Sequence, residues 1–118
     1  MLKNNSGVLG EQIAAIYLER KGFKIEEKNF SCKYGELDIV ARDGDCLVIA
    51  EVKTRKSYAC GYPAEFVTPK KQERLRRTAM EYVGYKEVEM RFDVIEVTYE
   101  MYHGRFLIKE INHIENAF

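Results

Sequence analysis

Leu9, Ile13, Ile16 and Tyr17 recur at the spacing that lines one face of a helix. This predicts a helix over 8–21, with Ser6 placed to cap its start and Gly22 to end it. The period then changes. Residues 23–32 read as a strand with Phe23, Ile25 and Phe30 apolar, residues 36–42 as a second, and 45–53 as a third. Asp43-Gly44 between two β-rich runs is a strong hairpin signal. The run Cys46-Leu47-Val48-Ile49-Ala50 is apolar on both faces, as a covered central strand would be. Beyond it the sequence turns abruptly charged.

Residues 55–68 read as a loop carrying Tyr58, Gly61, Tyr62 and Pro63. Thr68 followed by Pro69 marks a helix start, running to 83, where Gly84 stops it. A fourth strand over 90–99 turns near His103-Gly104 into a fifth over 105–111. With no repeat, low-complexity tract or linker, 1–118 is expected to be a single domain. Its class is α/β, in the order α-β-β-β-α-β-β around a mixed sheet.

Formal net charge is zero, which at first argues against a nucleic-acid partner. The distribution changes that. From Lys53 to Arg77 eight Lys or Arg face two acids, Glu65 and Glu73, and the flanking segments carry the balancing negative charge. A basic band on a neutral protein is still a footprint for phosphate, although on charge alone a solvated helix face is the better reading. Cys32, Cys46 and Cys60 lack zinc spacing and cannot all pair, so a reducing cytoplasm is the expectation. The opening Met-Leu-Lys-Asn-Asn-Ser-Gly has no apolar signal core, and no stretch approaches a membrane span.

The hairpin concentrates the chemistry. With Asp43-Gly44 as a two-residue loop, Arg42 pairs with Asp45, Asp38 lies opposite Ile49, and Glu36 lies opposite Glu51. Alternation along the strands then sends Glu36, Asp38, Glu51 and Lys53 to one face. Asp38 and Glu51 become diagonal neighbours, whereas a three-residue loop would put them on opposite faces. Converging carboxylates beside an apolar core repel one another and resist desolvation, and a divalent cation relieves both penalties. Oxygen ligands suit Mg2+ or Mn2+, with the Val52 carbonyl as a further ligand. Lys53 can orient or help deprotonate an attacking water, or neutralise a phosphate. The plainer alternative is an exposed strand face with a local Glu51–Lys53 charge pair.

Gly35-Glu36-Leu37-Asp38 followed by Glu51-Val52-Lys53-Thr54-Arg55 resembles the PD-(D/E)XK nuclease motif, with Leu37 where the motif's name has Pro. More narrowly, the chain resembles the YraN-like bacterial family. That likeness runs through Gly10-Glu11, Ala14, Tyr17-Leu18, Asn29-Phe30, the stretch 34–38, the stretch 51–55, Lys70-Lys71-Gln72 and Arg91-Phe92-Asp93-Val94. The resemblance implies a restriction-endonuclease-like core similar to small Holliday-junction resolvases. It implies metal binding and water activation by Asp38, Glu51 and Lys53, with Glu11 completing the site.

Other residues keep two readings each. Glu11 shares a helical line with Ala15 and Leu18, so it should face the sheet; its alternative is to complement the helix dipole. Gln72 lies on the stripe of Leu75, Ala79 and Tyr82, and would hold the scissile phosphate or a metal-bound water, or be a buried amide bonded to backbone. Lys70, Lys71, Arg74 and Arg77 are expected on the outward side, as phosphate contacts or plain solubilising charge. Arg55 and Lys56, beside the site, are stronger candidates for DNA. Tyr58 and Tyr62 could stack on splayed bases or simply pack. Asp93 is expected to have a structural partner such as Arg91 or a backbone amide. No nearby Ser or Cys pattern makes a hydrolase triad of His103 or His113.

The expected protein is an Mg2+- or Mn2+-dependent endonuclease acting on DNA, with branched DNA suggested by the resemblance and a homodimer suited to such a substrate. The rival is a nucleic-acid-binding module that keeps the fold without turnover.

Overall fold

A computed structural model describes residues 5–57 and 67–118. Two helices and five strands follow in the expected order: α1 (Asn5–Arg20), β1 (Lys24–Cys32), β2 (Gly35–Asp43), β3 (Cys46–Lys56), α2 (Pro69–Val83), β4 (Met90–Tyr102) and β5 (Arg105–Ile114). All five strands join one mixed sheet in the order β1-β2-β3-β4-β5. The β3–β4 pair is parallel and the other three are antiparallel. The α/β class is therefore as the hydrophobic pattern gives it.

The helices cover opposite faces of the sheet. Ala14, Ala15 and Leu18 of α1 pack on Ile39, Ala41, Val48, Ala50, Ile95 and Val97. Leu75 and Ala79 of α2 pack on Val40, Leu47, Ile49, Phe92 and Val94. The central position of β3 explains its unbroken apolar run, since Leu47, Val48, Ile49 and Ala50 are all buried. Gly10 brings α1 down onto β3, because a Cβ there would collide with the Thr54 hydroxyl.

The second helix has the termini the sequence calls for. Thr68 accepts a hydrogen bond from the Lys71 backbone N–H at 3.2 Å, Pro69 opens the helix, and Gly84 closes it in the left-handed region. The first helix begins earlier than expected, at Asn5, so Ser6 lies inside it rather than capping it. Ile16, expected in its apolar stripe, is exposed, and the buried line shifts to Ala14, Ala15 and Leu18. Strands β3, β4 and β5 each run about three residues past their expected ends. Their polar ends read as loop in sequence, yet backbone pairing continues through them. Thus Arg55 and Lys56 belong to β3, while Tyr58, Cys60, Gly61, Tyr62 and Pro63 lie outside the described residues.

The hairpin differs in register. The closing pair is Asp43↔Cys46, followed by Arg42↔Leu47 and Ile39↔Ala50, so the turn is Gly44-Asp45 rather than Asp43-Gly44. Gly44 takes a φ of +62°, supplying the left-handed residue at no Cβ penalty. Relative to the expected pairing the strands slide by two residues. A shift of two preserves face parity, so the functional consequence survives the misplaced turn.

Candidate active site

Beyond Ile39↔Ala50 the β2–β3 ladder stops. In place of the next ladder bond, the backbone N–H of Val52 donates to Asp38 Oδ2 at 2.9 Å. The carboxylate thus lies in the gap between the parted strands. Asp38 continues the face of Val40, and Glu51 and Lys53 continue the row of Leu47 and Ile49, all on the α2 side of the sheet.

Asp38 and Glu51 converge. Glu51 is 7% exposed, an unusual setting for a carboxylate. Burial, then the Glu51 charge, push the Asp38 carboxyl up to about 7, against the pull of the Val52 N–H. Asp38 therefore favours a proton or an added cation. Glu11, on α1, is near enough for its charge to act on Asp38 and Glu51. Its carboxyl is raised by burial; an Asn29 side-chain hydrogen bond opposes this, while the charges of Glu36 and Glu51 add to it. Among the described residues, however, no three Asp, Glu, His or Cys side chains stand close enough to form one metal cluster.

The cationic partner comes from an unexpected quarter. Lys71 Nζ lies 2.7 Å from Glu51 Oε2, so this lysine turns into the site instead of outward. Its hydrogen bond to Glu51 is the first reason that its ammonium is stabilised, and the side chain of Lys53 also reaches it. Lys71 occupies the first turn of α2, where the dipole disfavours a cation, and the Glu51 contact offsets that cost. The charge pattern alone could not reveal this, because Lys71 borders the apolar stripe.

A cavity of about 290 Å³ opens over the pair, lined by Tyr34, Glu36, Asp38, Glu51, Lys71 and Arg74 with Gly35, Leu75 and Thr78. The carboxylates, one lysine and one arginine therefore share a single concave surface. Gln72 does not line it. Its amide donates to the Val67 carbonyl at 2.9 Å, in keeping with the backbone-bonded alternative. Arg55 lies 3.4 Å from the buried Glu96, while Lys56 and Lys70 are exposed. Arg77 pairs with Glu73 at 3.6 Å and lies 5.7 Å from the Tyr34 ring centre. Sequence reasoning missed Tyr34, Asn29 and Glu96 as parts of this region. Asn29 at φ +57° and the Tyr34-Gly35 turn are local peculiarities that only their neighbours make meaningful.

Asp93 has the structural partners expected of it. Arg91, His113 and the backbone N–H of Asn116 all bond its carboxylate. Cys32 and Cys46 are free thiols. Among the described residues no helix is long and apolar enough to cross a membrane.

The model of the uncharacterised protein family UPF0102 matches residues 10–97, a span that contains Glu11, Asp38, Glu51, Lys53 and Lys71. A UPF0102 protein of Caldanaerobacter subterraneus is 43% identical over 119 residues, covering 98% of this chain and 96% of its own length. One of Geobacter sulfurreducens is 45% identical over 115 residues, covering 95% of this chain and 87% of its own. One of Caldicellulosiruptor saccharolyticus is 40% identical over 121 residues, end to end in both chains. The protein belongs to the uncharacterised family UPF0102.

Proposed function

We propose that this protein is a metal-dependent endonuclease of the PD-(D/E)XK type, hydrolysing phosphodiester bonds of DNA. The observation that carries this reading is the Asp38–Glu51 pair. Two carboxylates are held together in a gap with a free concave side, and the Asp38 carboxyl is pushed up to about 7. A structural acid would be given donors, as Asp93 is. Asp38 has one backbone N–H and otherwise faces Glu51, and an arrangement of that kind is stable where a cation completes it.

The donor set fits Mg2+ or Mn2+. Magnesium commonly uses one or two carboxylates and fills its other positions with waters and substrate phosphate. Asp38 and Glu51 would hold the ion with the Val52 carbonyl, and Glu11 would hold one of its waters. When bound, the ion supplies Lewis acidity to the phosphate and lowers the pKa of a bound water. The remaining roles belong to the chain. Lys53 orients the attacking water or takes its proton as the new P–O bond forms and the ester P–O bond breaks. Lys71 and Arg74, at the start of α2, bind non-bridging phosphate oxygens. Lys70, Arg77 and the end of β3 extend the basic surface along the backbone. A cytoplasmic setting, and a homodimer on two-stranded or branched DNA, accord with the same reading.

One observation favours a second reading. The Lys71 ammonium already neutralises Glu51, which suits a nucleic-acid-binding module without turnover. Cutting assays separate the two. Single-stranded, duplex, flapped and four-way DNA are incubated with Mn2+ or Mg2+ at pH 8. The nuclease reading expects cleavage of at least one substrate, and about a 10²- to 10⁴-fold loss in Lys53→Ala. It also expects Mn2+ to raise the melting temperature of the wild type and leave Asp38→Asn unmoved, since a ligand stabilises only the state it binds. Salt-sensitive binding without cutting of any substrate would establish the module instead.

A further inference from the structure

A second cavity of about 410 Å³ adjoins the first and is lined by Tyr34, Glu73, Arg76, Arg77, Met80 and Tyr85. Tyr34 lines both, and thus borders both the carboxylate site and its neighbour. The size lies within the ~300–1,000 Å³ of small-ligand sites. Its chemistry is aromatic, cationic and soft, a combination that suits a π-face beside a phosphate.

Its cations are held in place. The Arg76 guanidinium lies 5.2 Å from the Phe92 ring centre and 5.3 Å from that of Phe118. Glu73 is occupied by Arg77, and the two arginines leave the cavity with one net positive charge. Tyr85 is the unusual member. It is 61% exposed and sits at a φ of +62°, a region that a bulky residue rarely adopts. Helix termination does not require that conformation. Gly84 already provides the left-handed residue, and the Tyr85 N–H closes the cap on the Met80 carbonyl at 2.9 Å. A strained, exposed aromatic at the mouth of a cationic cavity has the character of a binding residue.

We infer that this second cavity receives an unpaired nucleobase, stacked against Tyr85, from the nucleotide adjoining the phosphate held in the carboxylate site. The inference rests on the nuclease reading and narrows its substrate. Bases of an intact duplex face one another and cannot enter a side cavity, so the strand must be unpaired at that nucleotide. A bulge, an overhang, a branch point or a free single strand meets this condition.

The test uses 2-aminopurine, whose fluorescence reports stacking, in EDTA so that nothing is cut. Four probes carry it: single-stranded DNA, single-stranded RNA, a DNA duplex with the base in an overhang, and a fully paired DNA duplex. Stacking on one ring is worth about 1–3 kcal/mol, or about a 5- to 150-fold change in affinity. The wild type should quench the unpaired probes and bind them at least about 5-fold more tightly than the paired duplex. Tyr85→Ala should lose that preference without a lower melting temperature, and Tyr85→Phe should keep it. The DNA and RNA arms identify the source of the base. Equal binding of paired and unpaired probes, or full affinity in Tyr85→Ala, would overturn the inference and leave the nuclease reading standing. Failure to bind any probe would overturn the inference as well, and the cutting assays with Mn2+ or Mg2+ decide the nuclease reading separately.

Discussion

Two aspartates on one sheet, one fully buried and one half-buried, have opposite surroundings. Asp93, fully buried on β4, receives Arg91 Nε at 3.0 Å, His113 Nε2 at 2.7 Å and the Asn116 N–H at 2.9 Å. His113 passes the interaction on, with its Nδ1 3.0 Å from Lys21 Nζ and Tyr17 close by. The cluster ties α1, β4 and the C-terminal end of β5 together. Asp38 receives one backbone N–H and is otherwise crowded by Glu51, with the Glu11 charge adding to the effect. The same side chain is thus satisfied in one place and frustrated in the other. A carboxylate supplied with donors has a structural task, whereas one supplied with other carboxylates is arranged for something that arrives later.

The comparison breaks most easily at Asp93. Removing it leaves Arg91 and His113 aimed at an empty, buried position. Breaking a buried charge network from one side costs about 3–5 kcal/mol. Asp93→Ala should lose that much stability in urea titration, with unfolding beginning where β5 and α1 meet. A loss below about 1 kcal/mol would mean that the cluster is not what holds the chain end.

Asp38 should respond in the opposite direction. Its folded pKa is raised from 3.8 to about 7, so the folded protein holds that proton more tightly than the unfolded chain. The contribution to stability is therefore fully present below pH 4 and declines as pH rises towards 7. At pH 8 in EDTA, Asp38→Asn should be more stable than wild type by about 2–4 kcal/mol, the lower figure allowing for solvent screening. At pH 4 the two should be nearly equal. An aspartate whose replacement destabilises equally at both pH values would belong with Asp93.

Much of this contrast was legible from sequence, and the failures are specific. The convergence of Asp38 and Glu51 follows from alternation, and it holds although the turn is Gly44-Asp45 and the register differs by two. Either turn has an even offset from the other, so the facing survives where the pairing does not. The α2 limits followed from Thr68-Pro69 and Gly84, because caps act through neighbouring backbone groups and are local. The sheet-ward facing of Glu11 was read from its helical line, but the inward turn of Lys71 and the buried Glu96 were not legible. Each depends on how layers meet in space, and no periodicity encodes that. The exposure of Ile16 has the same origin, since Gly10 on Thr54 sets how α1 lies on the sheet.

The smallest expected effect bears on how the site is held. Thr68 caps α2 by accepting from the backbone N–H of Lys71, the residue whose side chain meets Glu51. A local helix cap therefore fixes the position of the cation that pairs with Glu51. Thr68→Ala should cost about 1 kcal/mol in overall stability. Its effect should be uneven, with faster hydrogen exchange at Lys71 and Gln72 and no change at His113 or Asn116. Phosphate affinity should fall with the fraying, because Lys71 and Arg74 lose their common orientation. Thr68→Ser, which keeps the acceptor, should restore both exchange protection and affinity. If exchange quickened equally at both aspartates, the two regions would unfold as one unit, and the division between a satisfied acid and a poised one would have no energetic counterpart.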